Sequence, residues 1–328
     1  MLKASNYFPP VGISGAQWLP SDIAGYLGLP SVGNTYYVDP YAGNDTNNDG
    51  ESTTSALKTV AVALSKCTSG NHDVIIISPT GGTGRTAETD AITWNKRFTH
   101  LIGSAAPTMQ DARAGMNFGT DSSLTISENG CIFKNVTFFS SVDTDVTVTL
   151  TGDYNSFIGV DFKGTSNATS INSAPWRALS LSGAEENTFI GCTFGADTYT
   201  RSAANASIEL AAASTRNVFV DCFFPVFTDD ATALFVKAAS AADIDRFVMF
   251  KGCLFHNAVQ SSSTAMTVGM DIHAAVGGTV ILENSTMIGA TDLANNFANL
   301  RANPASAAGY AANAAGTQAL AGLAIVPA

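Results

Sequence analysis

The sequence predicts an all-β fold: a right-handed parallel β-helix of about seven coils, with an N-terminal capping helix and extended terminal arms. Six segments share one repeat, in which a small or turn-prone residue stands between apolar residues, and a degenerate seventh precedes them. The turn residues are Gly103, Asn135, Gly159, Gly191, Asp221, Gly252 and Asn284, spaced 32, 24, 32, 30, 31 and 32 residues apart. A second alternating strand lies upstream of most turn residues, so each repeat predicts one coil of short strands.

Three columns of residues around the turn residue predict the core. Because side chains alternate along a strand and the chain bends at the turn residue, positions −2, +1 and +3 are expected to point inward. Position −2 holds Leu101, Phe133, Phe157, Phe189, Phe219, Phe250 and Leu282, and position +3 holds Ala106, Phe138, Phe162, Phe194, Phe224, Phe255 and Met287. Position +1 includes Cys192, Cys222 and Cys253, which predicts a buried ladder of free thiols rather than a disulfide.

The pattern divides the chain into an N-terminal arm over residues 1–34, a β-helix domain over 35–290 and a C-terminal segment over 291–328. The arm contains a short helix candidate, Ser21–Leu27, with Ser21 as its N-cap. An amphipathic helix around Ser55–Lys66 is expected to cap the first coil. A further helix is predicted over Thr291–Arg301, followed by an Ala-rich tail.

The composition disfavours several classes of partner. The 328 residues carry 16 Lys and Arg against 27 Asp and Glu, a net charge of −11, and only 13% of residues are charged. This balance disfavours nucleic acid and acidic membrane surfaces. The sequence offers no membrane-spanning stretch and no apolar signal-peptide region, and its five cysteines lack zinc-site spacing. We therefore expect folding in a reducing compartment, without a cofactor or a metal.

A resemblance to a known superfamily rests on the N-terminal part of the predicted β-helix. The motifs Tyr36-Tyr-Val-Asp-Pro40, Gly43-Asn-Asp45, Asn48-Asp-Gly50, Ala56-Leu-Lys-Thr-Val60 and Asp73-Val-Ile-Ile-Ile77 occur in this order. They resemble the entry into pectate-lyase-like β-helix proteins, and the later Asn-x-Phe-x-Gly-Cys-x-Phe coils are similar to that superfamily over residues 35–290. The superfamily includes lyases, hydrolases, phage tailspikes and non-catalytic virion subunits, so the resemblance implies a fold and leaves function open.

The expected chemistry of such enzymes is not visible in the outward columns of the repeat. Pectate lyases use several acidic residues for Ca²⁺ and an Arg or Lys base, whereas the outward columns at −1 and +2 contain no acidic cluster. Of the motifs that polygalacturonase-like hydrolases use, only Asp229-Asp230 is present. The other carboxylates available for a pair are scattered: Asp153, Asp161, Glu185, Glu186, Asp197, Asp243 and Asp245. The sequence therefore assigns no catalytic residue.

Two further segments contain residue types that ligand sites use. The Asp and Asn residues of segment 39–49 offer oxygen ligands for Ca²⁺, but they lack EF-hand spacing, and such residues also form good turns. Residues 81–86, Gly-Gly-Thr-Gly-Arg-Thr, lack the lysine and the spacing of a phosphate-binding loop. Whether segment 39–49 binds calcium stays open at this point.

An apolar stripe on the outside of the predicted helix indicates a contact surface. Ile158, Ile190 and Val220 share the outward −1 column on successive coils, and Phe223 and Leu254 share the outward +2 column. A β-helix needs no apolar residues outside its core, so we expect another segment or subunit to cover these five residues.

The function predicted from these features is that of a non-enzymatic virion subunit, a bacteriophage capsid decoration or similar auxiliary protein. The predicted partners are further copies, as a homotrimer, and a capsid or other virion protein. The predicted location is the virion, assembled in the host cytoplasm. The alternative is a phage tailspike or another β-helix protein that binds or degrades polysaccharide.

Overall fold

The computed structural model describes residues 20–29, 32–119, 122–257 and 263–303, and these form a right-handed parallel β-helix. The predicted terminal arms fall mostly on residues 1–19 and 304–328, which lie outside the described residues. Within the described ranges three long sheets, here called A, B and C, run along the helix, with ten strands in A and eight each in B and C. These strand counts compare with the roughly seven coils that the sequence repeats predict.

Each sheet contains one strand from successive coils. Sheet A contains Thr35–Val38, Val74–Ile77, His100–Gly103, Ile132–Lys134, Ser156–Ile158, Thr188–Ile190, Asn217–Val220, Phe247–Lys251, Thr279–Glu283 and Leu300–Asn303. Sheet B contains Arg85–Glu88, Gly115–Phe118, Thr137–Ser140, Asp161–Thr165, Thr193–Phe194, Phe223–Pro225, Leu254–His256 and Thr286–Ile288. Sheet C contains Ile92–Trp94, Leu124–Ile126, Val146–Leu150, Arg177–Ser182, Ala206–Ala211, Leu234–Ala238, Met266–Ile272 and Ala290–Ala294. A small parallel pair, Thr200–Arg201 and Phe227–Thr228, lies outside these sheets.

The predicted inward columns form the core. The −2 column stacks ring on ring, with centroids 4.7 Å apart between Phe157 and Phe189 and 4.5 Å apart between Phe189 and Phe219. The +3 column stacks in the same way, at 5.0 Å between Phe162 and Phe194. All five rings have 0% of their surface exposed. Sheet A therefore supplies the stack of the −2 column and sheet B that of the +3 column, and the two stacks meet edge to face.

The predicted turn residues make the bend between sheets A and B. Six of the seven adopt a left-handed backbone conformation, with φ between 50° and 65°: Asn135, Gly159, Gly191, Asp221, Gly252 and Asn284. Glycine adopts this conformation without a steric penalty, and Asn and Asp tolerate it better than other side chains. The conformation explains why the repeat allows only these residue types at that position.

A ladder of buried asparagines lies where strands of sheet A begin, at the opposite end of these strands from the turn residues. Asn155 and Asn187 immediately precede two successive strands of sheet A, Asn217 is the first residue of the next strand, and each is 0% or 1% exposed. The Oδ1 atom of Asn187 accepts a hydrogen bond from the Asn155 amide at 2.8 Å, and the Oδ1 atom of Asn217 accepts one from the Asn187 amide at 3.0 Å. Each side chain thus satisfies the backbone of the coil before it, where the strand has not yet begun.

The cysteines are free and buried, as predicted. In the +1 column each thiol donates to a carbonyl of the preceding coil: Cys192 to Phe157 at 3.4 Å and Cys253 to Phe219 at 3.5 Å. Burial and the neighbouring thiols raise the pKa of Cys222 well above its ordinary value. The predicted thiol ladder is confirmed.

A short helix caps the first coil. This helix, α2, spans Val60–Lys66 and so begins later than predicted. A 3₁₀ turn, Thr53–Ser55, occupies the start of the predicted range. The buried carboxylate of Glu88 accepts hydrogen bonds from the amides of Val60 at 2.8 Å and Ala61 at 3.3 Å. Sheet B thereby holds the N-terminus of α2, where helix amides lack intrahelical partners. A third helix, α3, spans Ala168–Ile171.

The predicted helix over Thr291–Arg301 is wrong. Ala290–Ala294 is a strand of sheet C that pairs with Met266–Ile272, and Leu300–Asn303 is the last strand of sheet A. Only a 3₁₀ turn, Phe297–Asn299, is helical in this region. Ala290, Leu293 and Ala294 face the core, which explains the apolar spacing that resembled a helix.

The helix predicted in the arm is part of the folded body. It is α1, Pro20–Leu27, and its Ile23 and Leu27 pack on the outer face of sheet A. The apolar cluster beneath α1 includes Tyr37, Val74 and Ile102. The first coils therefore have an apolar surface on both faces of sheet A.

Candidate functional site

Chemistry or recognition in this fold must use the outer faces of the three sheets, because aromatic and aliphatic side chains fill the interior. The three faces differ sharply. Sheet A is apolar outside, sheet B is crossed by a loop with a charged cluster, and sheet C presents a polar column.

The predicted stripe lies on sheet A. Ile158 pairs with Ile190, Ile190 with Val220 and Val220 with Lys251 on neighbouring strands. The three apolar side chains are partly exposed, and their neighbours along each strand are the buried rings of the core. Adjacent strands in a sheet lie about 4.8 Å apart, so the stripe is continuous along the axis.

A second apolar column lies beside the stripe and was missed from the sequence. Val218 pairs with Met249, and Met249 with Ile281, all partly exposed on the same face. The signal was available, because these residues stand three positions before the turn residue.

The apolar face continues beneath α1 toward the N-terminal end. Lys134 precedes Ile158 in the same column, is 5% exposed, and donates from Nζ to the Tyr26 carbonyl at 2.8 Å. Burial lowers the pKa of Lys134 to about 8. The part of this face that α1 covers therefore ends at Lys134, on the strand next to that of Ile158.

The other two predicted interface residues lie elsewhere. Phe223 and Leu254 pair with each other on sheet B, around the turn from the stripe. Leu254 is 37% exposed, and Phe223 is partly exposed. The five residues therefore form two separate surfaces rather than one.

The outer face of sheet B holds a charged cluster that the sequence did not reveal. The Asp111 carboxylate forms ion pairs with the Arg85 guanidinium and with Lys163 Nζ, the second at 3.4 Å. The Asp111 amide donates to Asp161 Oδ2 at 2.7 Å. The Arg85 guanidinium lies over the Phe139 ring, 4.8 Å from its centroid. These residues come from three strands and one loop, up to 78 positions apart, so no local motif marked them.

Asp161 is the most unusual group of the cluster, since only 2% of its surface is exposed. Burial raises its pKa from 3.8 to about 7, while the nearby cations Lys163 and Arg85 act in the opposite direction. The two cations have pKa values lowered mainly by their own burial. Burial therefore outweighs the attraction between opposite charges.

The outer face of sheet C carries a polar column that the sequence also missed. Thr149, Ser180, Glu209, Lys237 and Asp271 pair in series on neighbouring strands. Glu209 accepts a hydrogen bond from Arg177 at 3.2 Å, and Asp271 accepts one from Asn295 at 2.5 Å. These residues lie on the strands upstream of the turn residues, where the repeat has no fixed turn residue to set the register between coils.

Asp and Asn side chains of segment 39–49 accept hydrogen bonds from backbone amides of this loop and of the residues that follow it. Asp39 Oδ1 accepts from the Tyr41 and Ala42 amides at 2.9 and 3.2 Å, and Asp45 accepts from the Lys58 and Thr59 amides at 2.7 and 3.1 Å. Within the described residues, no group of three or more His, Cys, Asp or Glu side chains could hold a metal ion. These contacts show the Asp and Asn side chains in the structural role that turn-forming residues commonly have.

Comparison with solved structures shows the chain to be similar to pectate lyase Pel9A, with a TM-score of 0.59 and 16% identity over 90% of this chain and 74% of that one. It is also similar to ORF18 of Geobacillus virus E2, with a TM-score of 0.40 and 14% identity over 78% of this chain and 52% of that one. The first likeness confirms the pectate-lyase-like β-helix; the second is too distant to carry an argument. No protein-family model and no curated protein matches the chain. No helix among the described residues is long and apolar enough to cross a membrane.

Proposed function

We propose that this protein is a non-enzymatic structural subunit of a virion, a bacteriophage capsid decoration or similar auxiliary protein, and that it acts by assembly. The observation that carries the proposal is the apolar outer face of sheet A. This face extends from Ile158 through Val220 beyond the area that α1 covers. The virion location is part of the proposal, and it is supported by the resemblance to a superfamily that includes phage tailspikes and virion subunits.

The partner for this face is a further copy of the chain, most simply in a homotrimer that then binds a capsid or other virion protein. Burial of apolar side chains drives association, at about 25 cal/mol per Å² removed from water. In the column, Lys134 lies before the three apolar residues and Lys251 follows them. Lys251 pairs with Glu283 at 2.7 Å, which places a polar rim at that end.

Charged residues placed in the stripe are expected to dissociate the assembly. The variant Ile158→Asp, Ile190→Lys, Val220→Asp alternates the signs, so that neighbouring charges attract and the coils are retained. We expect the unmodified protein to be oligomeric and the triple variant to be monomeric in light scattering, with unchanged far-UV circular dichroism.

A matched control uses three outward residues of sheet C on successive strands, as Thr125→Asp, Thr149→Lys, Ser180→Asp. It introduces the same charges on a face already polar, so the protein should stay oligomeric. A monomeric unmodified protein, or a triple variant with the mass of the parent oligomer, would contradict the proposal.

The second candidate function, a polysaccharide-binding or polysaccharide-degrading protein, is favoured by the sheet C column. Glu209 and Asp271 lie two strands apart with Lys237 between them, a backbone separation of about 10 Å. Carboxyl groups of inverting glycosidases stand roughly 6.5–9.5 Å apart. The ion pair with Arg177 at 3.2 Å holds the Glu209 carboxylate in place on this face.

The assembly proposal and a polysaccharide-degrading activity give opposite results in an assay on acidic and neutral polysaccharides. The assembly proposal predicts that no unsaturated or reducing ends are released. Release that is lost in Glu209→Gln or Asp271→Asn, but kept in the control Asp245→Asn on an exposed loop, would establish the enzyme instead.

A further inference from the structure

One segment crosses the outer face of sheet B without joining any sheet. Residues 104–113, here called the strap, connect Gly103 at the end of a sheet A strand to the sheet B strand that begins at Gly115. This connection is longer than the single turn residue and its neighbour that link the same sheets in later coils. The strap runs across strands, so side chains of sheet B must hold it.

Three outward side chains of one sheet B column hold the strap. The Thr137 hydroxyl donates to the Ala112 carbonyl at 3.1 Å, and the Thr193 hydroxyl donates to the Met109 carbonyl. Between them, Asp161 accepts from the Asp111 amide at 2.7 Å. Thr137 and Thr193 pair with Asp161 on either side in the sheet. Asp161 is thus the central attachment of the strap.

The central attachment is not fully satisfied. Asp161 Oδ1 is buried without a hydrogen-bond partner, because the one proton of the Thr137 hydroxyl is donated to Ala112. An ionised carboxylate oxygen that is buried without a donor is costly, whereas the protonated acid carries no charge to desolvate. Opening the strap would return Asp161 to water and remove this cost.

We infer that the strap is a proton-dependent latch, which closes over the protonated form of Asp161 and opens when Asp161 ionises. The charged groups that face Asp161 are Lys163 and Arg85 on sheet B and Asp111 on the strap itself. The two cations favour ionised Asp161 but are already paired with Asp111. Opening separates Arg85 and Lys163 from Asp111 and so frees two cations on an otherwise acidic protein.

The direction of the pH dependence follows from proton linkage. The closed state binds the proton more tightly than the open state, since the pKa of Asp161 is about 7 when closed and returns toward 3.8 in water. Closure is therefore most strongly favoured below about pH 3.8 and weakens as the pH rises from that value to about 7. Above about pH 7 it changes no further.

Hydrogen exchange of the intact protein tests the latch. After correction for the intrinsic pH dependence of exchange, the open fraction of the strap should rise on the order of 20-fold between pH 5.5 and 7.5. Amides of the sheet C strand Ala206–Ala211 serve as the internal reference and should keep their protection. Equal protection of the strap at both pH values would overturn the inference.

Two variants identify the titrating group. Asp161→Asn keeps an acceptor for the Asp111 amide but cannot ionise, so the strap should become insensitive to pH. Lys163→Gln removes a cation that favours ionised Asp161, so the opening transition should move to higher pH. A pH response that persists in Asp161→Asn, or an unshifted transition in Lys163→Gln, would assign the effect to another group and overturn the latch.

Discussion

Replacing Phe189 with alanine is expected to lower the free energy of unfolding by about 3–5 kcal/mol. Its ring is fully buried and stacks on Phe157 and Phe219 at 4.7 and 4.5 Å, and it meets Phe194 edge to face at 5.6 Å. Removing it leaves a cavity between two coils whose backbones are fixed by parallel ladders, so the walls cannot collapse. Denaturant unfolding followed by circular dichroism measures the change.

Phe297→Ala provides the matched control, because this ring is 38% exposed outside both stacks. Its loss should change the free energy of unfolding by no more than about 0.5 kcal/mol. A Phe189→Ala variant as stable as this control would show that the coil register is wrong.

Asn187→Ala is expected to cost about 3 kcal/mol, although the side chain is small and polar. Its Nδ2 donates to the Gly152 carbonyl and to Asn217 Oδ1, both at 3.1 Å, and its Oδ1 accepts from the Asn155 amide at 2.8 Å. Each buried group that loses its partner costs about 1–3 kcal/mol. The same unfolding measurement applies.

The control for this variant is Asn47→Ala, on the exposed loop near the N-terminal cap. It removes the same atoms from a site in contact with water, so its effect should be within about 0.5 kcal/mol. If both variants were equally stable, the asparagine ladder would contribute nothing to joining the coils.

The repeat made the fold predictable because one physical constraint recurs in every coil. The turn between sheets A and B requires a left-handed residue, and the strands on either side require inward apolar residues. These constraints fixed the three inward columns and the thiol ladder. The wrong helix over Thr291–Arg301 arose where the repeat pattern ends, and pairing with the preceding coil overrode local helix propensity there.

The charged cluster could not be predicted by the same reasoning. Asp111 lies on the strap, which has no counterpart in later coils, so no column of the repeat includes it. Its partners Arg85 and Lys163 stand on strands that only coil stacking brings together. A repeat pattern reveals the residues that recur in every coil, and it gives no information about an insertion that occurs in one coil.

The thiol ladder determines how the chain responds to oxidants. The thiolate is the form that is oxidised or exchanges with disulfides, and burial suppresses it by raising the pKa of Cys222. Cys192 and Cys253 are likewise enclosed, each with its Sγ directed at a backbone carbonyl. We therefore expect these three thiols to keep their covalent structure when the protein is moved from reducing to oxidising surroundings.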